Sequence, residues 1–318
     1  MTPRVRVGRI VAASMVLASA ACGAGRAAPE LPPSPREVVI ADLQDFQADL
    51  GVARTGNFQR FDGTRPAVYR CYYTGLLELP ASYTELRLLS PDEPACPIDE
   101  TEFDVFLYAI EAVASGDSPV SPALLETPIE RTLVVVPHED FHNQPEAEQA
   151  LLEVAEGAAT LVGFLTARDY ALARYGADSD TFRRLEREAH RYLAKAGLIN
   201  DSHAELDAVY AAFAAGALTR DEALARKVAH FAALADTCRA AEAAVSFNTC
   251  PAALNNAGLA FDRTYTQHYP TWFELHDALD AGTAATVAAF KAILATGPRT
   301  EGELRAAGRA YLAAGPVE

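Results

Sequence analysis

The sequence predicts an α+β protein dominated by helix: a small β-containing lobe at the N-terminal side, then a helical bundle. Two patterns predict it. Ahead of residue 127, alternating segments at 57–62, 67–74 and 83–89 are punctuated by Gly and Pro, which is strand patterning. Beyond Thr127 nearly every stretch is Ala-rich, with apolar residues recurring at helical spacing. A third observation is local. His138-Glu-Asp-Phe-His142 places two histidines four residues apart, and only a helix turns both onto one face.

In chain order, residues 1–21 read as a signal peptide. Arg4, Arg6 and Arg9 precede an apolar run from Ile10 to Ala21 that is too short to span a membrane. Ser19-Ala20-Ala21 before Cys22 resembles a bacterial lipobox, in which the cysteine is lipidated and becomes the mature N-terminus. Ser19 stands where a Leu is usual, and ordinary signal-peptidase cleavage nearby is the alternative. Residues 22–36, rich in Ala, Pro and Gly, read as a flexible tether. The remainder, 37–318, is long enough for a sizeable core and reads as one domain, with the lobe at 37–126 and the helical part at 127–318.

An amphipathic helix is expected over 36–51. Thr127-Pro128-Ile129-Glu130 has the form of a capping box with proline at the first helical position, so a helix should start there. It would run through Val134-Val-Val-Pro137 into the histidine pair, with Pro137 kinking it and freeing the Leu133 carbonyl. The alternative is a strand at 132–136 with Pro137 opening the motif helix. An apolar helix follows in 149–165, then helices near 179–198, 202–215, 220–245, 252–268, 272–295 and 300–314.

The formal charge is −16, and −19 once the three signal arginines are removed. So acidic a chain repels nucleic acid and anionic lipid headgroups, so attachment to a membrane would depend on acyl chains. Setting Cys22 aside leaves Cys71, Cys96, Cys238 and Cys250, an even set that suits disulfides in an oxidising compartment. Pairing Cys71–Cys96 with Cys238–Cys250 is the most local of the three possibilities. No Cys-x-x-Cys spacing points to redox chemistry or Cys-bound zinc.

His138-Glu139-x-x-His142 is the metal-binding pattern of zinc hydrolases. Two imidazoles can reach one zinc ion, and a catalytic site leaves a coordination position for water, whose proton Glu139 would accept. A third ligand should come from the next helix, where Glu153 and Glu156 lie one turn apart. Pro145 ends the first helix and lets the chain double back. In a simple hairpin Glu153 faces the motif more directly, whereas a nonhelical connection reaching to about Glu148 brings Glu156 into place. Spacing alone does not choose.

These residues resemble the gluzincin class of zinc metallopeptidases, whose ligands are the motif histidines and a downstream glutamate. More narrowly, they resemble a bacterial aminopeptidase family whose members are often lipoproteins. There the motif is followed after a short gap by Glu-x-x-Ala-Thr, which Glu156-Gly-Ala-Ala-Thr160 matches. The resemblance therefore implies Glu156 as ligand and leaves Glu153 as a carboxylate that orients a ligand or faces solvent. Asn255-Asn256-Ala257…Thr264-Tyr265 matches a second signature of that family, and Thr55-Gly-Asn-Phe58 and Tyr69-Arg-Cys-Tyr-Tyr-Thr74 share a looser likeness. Two departures are Pro137 before the motif and the lack of a Gly-Ala-Met-Glu-Asn element, which holds the substrate amine in other zinc aminopeptidases.

Hydrolysis of a peptide bond also needs a donor for the oxyanion. Tyr265 and His268 are the candidates, while Asn255 and Asn256 suit binding of substrate backbone or support of a ligand. His190, His203 and His230 lie on charged helix faces and are expected to face solvent. The reading is thus a one-zinc peptidase of the bacterial cell envelope, held to the membrane by an N-terminal lipid and acting on a peptide or protein. The alternative is a noncatalytic envelope lipoprotein that serves as a binding module with a retained or degenerate zinc site.

Overall fold

Helix packing explains most of the architecture. The computed structural model describes residues 36–63, 67–240, 251 and 253–315, all within one compact unit. In chain order the elements are α1 (Arg36–Asp49), β1 (Val68–Gly75), a 3-10 turn (Tyr83–Glu85), β2 (Arg87–Leu89), β3 (Phe103–Ile110), α2 (Pro122–Glu126), α3 (Ile129–His142), α4 (Pro145–Glu148) and α5 (Leu152–Tyr175). Then come α6 (Asp180–Leu185), α7 (Glu188–Ala214), α8 (Arg220–Ala240), α9 (Asn256–Thr266), α10 (Tyr269–Leu279), α11 (Thr283–Leu294) and α12 (Glu301–Ala314). The protein is predominantly helical with one small antiparallel sheet.

α5 is the central helix. Every residue from Val154 to Ala167 is buried, so it carries no polar face and must be surrounded. α3, α9, α10 and α11 pack around it. Its small residues let the backbones approach closely: a Cβ on Gly163 would lie 2.7 Å from the Val134 carbonyl of α3, and one on Gly157 would lie 3.0 Å from the Trp272 ring of α10. The Trp272 indole also donates to the Val154 carbonyl at 2.9 Å, pinning the first turn of α5.

The sheet has strand order β2–β1–β3. Tyr72 pairs with Phe106 in the register, so both point to one face, and Phe261 of α9 covers them at 5.5 and 4.7 Å between ring centroids. Cys71, on the opposite face, is disulfide-bonded to Cys96 as expected. Cys238 is also disulfide-bonded. Cys250, its expected partner, and Cys22 lie outside the described residues.

Several expectations are corrected. Residues 57–62 make only an isolated bridge, Phe61 to Val120, because Phe58 adopts φ +60°, where a strand cannot continue. β3 was not anticipated, although Phe103-Asp-Val-Phe-Leu-Tyr alternates as a strand does. The capping box at Thr127 does not form: Thr127 Oγ1 donates back to the Leu124 carbonyl and closes α2, while Glu130 is buried against Arg184. α7 runs unbroken across 199–201. The stretch 272–295 is two helices, because Asp280 takes the left-handed conformation at φ 45° and ends α10.

Candidate metal centre

α3 passes through Pro137 as one helix, so the first of the two readings of this segment holds. Proline costs the helix a hydrogen bond at Leu133. Leu133, Val134, Val136 and Phe141 are fully buried against neighbouring helices, and that apolar burial offsets the loss. His138 and His142 consequently emerge on one face, and their ring centroids lie 4.8 Å apart.

The chain then turns through Asn143 and Gln144, the short α4, and a nonhelical step to Leu152. This longer connection sets the phase of α5, and it is Glu156 that meets the histidines. His138 Nε2 and His142 Nε2 are 3.2 Å apart, and Glu156 Oε2 lies 3.2 and 3.0 Å from them. The three could hold a metal ion. Glu153, one turn earlier, is half-buried and outside this triangle.

The donors suit a small divalent cation. Two atoms bound tetrahedrally to zinc at about 2.0–2.1 Å lie about 3.3 Å apart, close to all three separations. Two imidazole nitrogens and a carboxylate oxygen facing one another also lack an arrangement of protons that satisfies every pair, whereas a cation satisfies all of them at once. Burial alone would raise the Glu156 carboxyl, but the facing imidazoles outweigh it and hold it at about 2. Burial pulls His142 down and the Glu156 charge beside it more than restores it, so His142 ends above its ordinary value. A cation would compete with that proton for the same electron pair. The other nitrogen of His138, Nδ1, is buried without a hydrogen-bond partner among the described residues.

Glu139 follows His138 on α3. Burial raises its carboxyl above the ordinary range, opposed by the two histidines. Asp140, the next residue, points the other way and is fully buried. It accepts from Thr55 Oγ1 at 2.5 Å, Gln47 Nε2 at 2.6 Å, Gln44 Nε2 at 2.9 Å and Asn57 Nδ2 at 3.3 Å. This network ties α1 and the 55–57 turn to the back of the motif helix. Its members are more than eighty residues from Asp140 in sequence, and nothing in their local pattern marks them.

Tyr265 belongs to the site: its ring centroid is 6.2 Å from that of His138. Burial first, and then the Glu156 charge, push its phenol well above the ordinary value, so it stays protonated. His268 is directed elsewhere, with Nδ1 2.7 Å from Glu301 Oε2 on α12. Asn255 and Asn256 are structural rather than substrate-facing. Asn255 caps α9 through Gly258 N and donates to the Val105 carbonyl. Asn256 donates through Nδ2 to the Leu76 and Glu78 carbonyls, accepts from Tyr210, and gives its backbone N–H to Asp104. Of the histidines expected to face solvent, His190 does. His203 is half-buried against the Pro80 carbonyl, and His230 pairs with Glu205 at 3.1 Å.

No family model, curated protein or solved structure matches the chain.

Proposed function

We propose that this protein is a zinc-dependent peptidase of the bacterial cell envelope. The observation that carries the reading is the convergence of His138 Nε2, His142 Nε2 and Glu156 Oε2 beside a half-buried Glu139 whose proton affinity is raised. Two histidines and a glutamate are the donor set of the gluzincins that the motif resembles, and imidazole nitrogen with carboxylate oxygen suits zinc. The organisation as a β-containing N-terminal lobe ahead of a bundle carrying the motif helix is part of the same proposal, as is aminopeptidase specificity.

When bound, zinc makes a coordinated water acidic and polarises the scissile carbonyl. Glu139 takes the proton from the attacking water and passes it to the departing amine, a task helped by a carboxyl whose proton affinity burial has raised. Tyr265, protonated at neutral pH, donates its O–H to the oxygen that gains charge. His138, His142 and Glu156 hold the ion, and Asp140 anchors the helix that presents the first two.

A second reading is a noncatalytic binding module with a structural zinc site. It draws on the low exposure of the donor side chains, 11% and 13% for the histidines and 6% for Glu156. A structural site is closed, with a fourth protein ligand, and a catalytic one keeps water there.

The test combines metal analysis with cleavage of a peptide library. Glu139→Gln should keep zinc at one ion per chain and lose hydrolysis; activity near wild type would remove Glu139 from the mechanism. No cleavage by the zinc-loaded wild type would favour the module. Export and lipidation at Cys22 predict that Cys22→Ser releases the protein from membranes, and a wild type already soluble would rule out the anchor.

A further inference from the structure

Three tyrosines from distant parts of the chain gather beside the metal centre: Tyr83 from the 3-10 turn, Tyr108 from β3 and Tyr265 from α9. Tyr83 and Tyr265 lie 6.2 Å apart between ring centroids, and Phe261, one turn before Tyr265, touches all three at 5.7, 5.0 and 5.5 Å. Phe106 closes the base at 4.7 Å from Phe261. A continuous aromatic cluster, buried at Phe106 and Phe261, thus runs from the His138 ring to the sheet.

Two features set the three tyrosines apart from the core beneath them. The charges acting on Tyr83 and Tyr265 include those of Glu156 and Glu139, and Tyr108 feels Glu139, so all three phenols are within electrostatic reach of the centre. None of the three hydroxyls makes a hydrogen bond among the described residues, and none is sealed from water, whereas buried tyrosines such as Tyr210 and Tyr269 have partners. A buried tyrosine that serves only packing finds an acceptor for its O–H. Half-buried rings with unspent donors at their rims are the composition of a ligand pocket, with apolar walls and few polar groups.

We propose that Tyr83 and Tyr108, which share the Phe261 ring with Tyr265, form the side-chain pocket of this centre and select peptides with a large aromatic or apolar residue next to the cut bond. The proposal rests on the peptidase reading for its chemistry but not for its binding. The ring faces offer area for an aromatic side chain, and edge-to-face contacts add to that area.

The test uses the zinc-loaded full chain and peptides that differ only in one residue, Phe, Leu, Ala or Lys. Wild type should cut the Phe and Leu peptides about tenfold or more faster, by kcat/KM, than the Ala peptide, the range that one well-filled apolar pocket gives. Tyr83→Ala and Tyr108→Ala should erase most of that preference while changing the Ala peptide less than about threefold and keeping one zinc per chain. If the alanine variants fail to fold, Tyr83→Leu and Tyr108→Leu, which fill the same space without a ring face, should lower the rate on the Phe peptide relative to the Leu peptide, and an unchanged Phe-to-Leu ratio would overturn the pocket. Equal rates for Phe and Ala, preference for Lys, or a uniform loss on all peptides would overturn the pocket and leave the peptidase reading standing. If nothing is cleaved, calorimetric binding of the same peptides separates the two ideas. Phe-selective binding that Tyr83→Ala abolishes keeps the pocket and discards the peptidase, and unselective binding discards both.

Discussion

Gly163 of α5 sits against the Val134 carbonyl of α3, with room for a hydrogen and none for a methyl group: a Cβ there would lie 2.7 Å from the carbonyl oxygen and 3.4 Å from His138 Cβ. This contact sets the distance between the helix that supplies the histidines and the helix that supplies Glu156. Gly163→Ala should therefore force the helices apart, at a cost of about 1–3 kcal/mol in stability. Zinc affinity should fall about tenfold or more, since the donors no longer converge. Urea unfolding and competition with a chelator measure the two effects, and a variant with wild-type zinc affinity would show that the spacing is not critical.

Glu156 and Glu153 should separate cleanly in metal content. Glu156→Ala removes a donor atom from the triangle and should yield apoprotein at micromolar zinc, whereas Glu153→Ala should retain zinc at one ion per chain. Atomic emission on the dialysed proteins decides it. A zinc-free Glu153→Ala alongside a zinc-replete Glu156→Ala would reverse the ligand assignment.

Among the described residues, Asp140 collects four neutral donors and no cation in a fully buried position. Truncation to alanine removes the shared acceptor of Gln44, Gln47, Thr55 and Asn57; Gln44 and Asn57 keep one further bond each, to the Asn57 carbonyl and to Asn143, and each buried donor left unpaired costs about 1–3 kcal/mol unless water enters. Asp140→Ala should lose about 3 kcal/mol or more by urea unfolding. Asp140→Asn should lose less, because one acceptor oxygen remains. An alanine variant within 1 kcal/mol of wild type, on the order of an ordinary surface change, would mean that the network is dispensable.

The Glu301 carboxyl predicts a pH effect. Burial by itself would raise it, but hydrogen bonds from His268 and Thr271, with the Arg305 charge, hold it below the ordinary 4.5. A depressed carboxyl contributes stability that is present above its unfolded value and lost as pH falls through its folded one. Glu301→Gln should thus be less stable than wild type at pH 7, and the two should converge as pH falls below the ordinary 4.5 and through the depressed folded value. Parallel pH–stability curves for the two proteins would remove Glu301 from acid unfolding.

Some of this protein was readable from its residues alone, because helix formation is local. The i, i+4 spacing of His138 and His142 specifies a shared face whatever surrounds it, and α1, β1, α8 and α12 lie close to where periodicity puts them. Tyr265 is a candidate on its sequence neighbourhood, and its ring lies 6.2 Å from that of His138 in the candidate metal centre.

Tertiary structure decided the rest, where the deciding contact joins residues far apart. Glu156 rather than Glu153 meets the histidines because α4 and the nonhelical step after it set the phase of α5, and spacing in the sequence carries no phase across a turn. Asn255 and Asn256 suit substrate binding or support of a ligand by sequence, yet their side chains donate to carbonyls of the sheet region about 150 to 180 residues earlier. The capping box at Thr127 lost to a bond that closes α2, and the strand expected at 57–62 lost to Phe58 in the left-handed region. Each reversal has one physical reason: a local preference worth about 1 kcal/mol yields when burial and long-range hydrogen bonds demand another conformation.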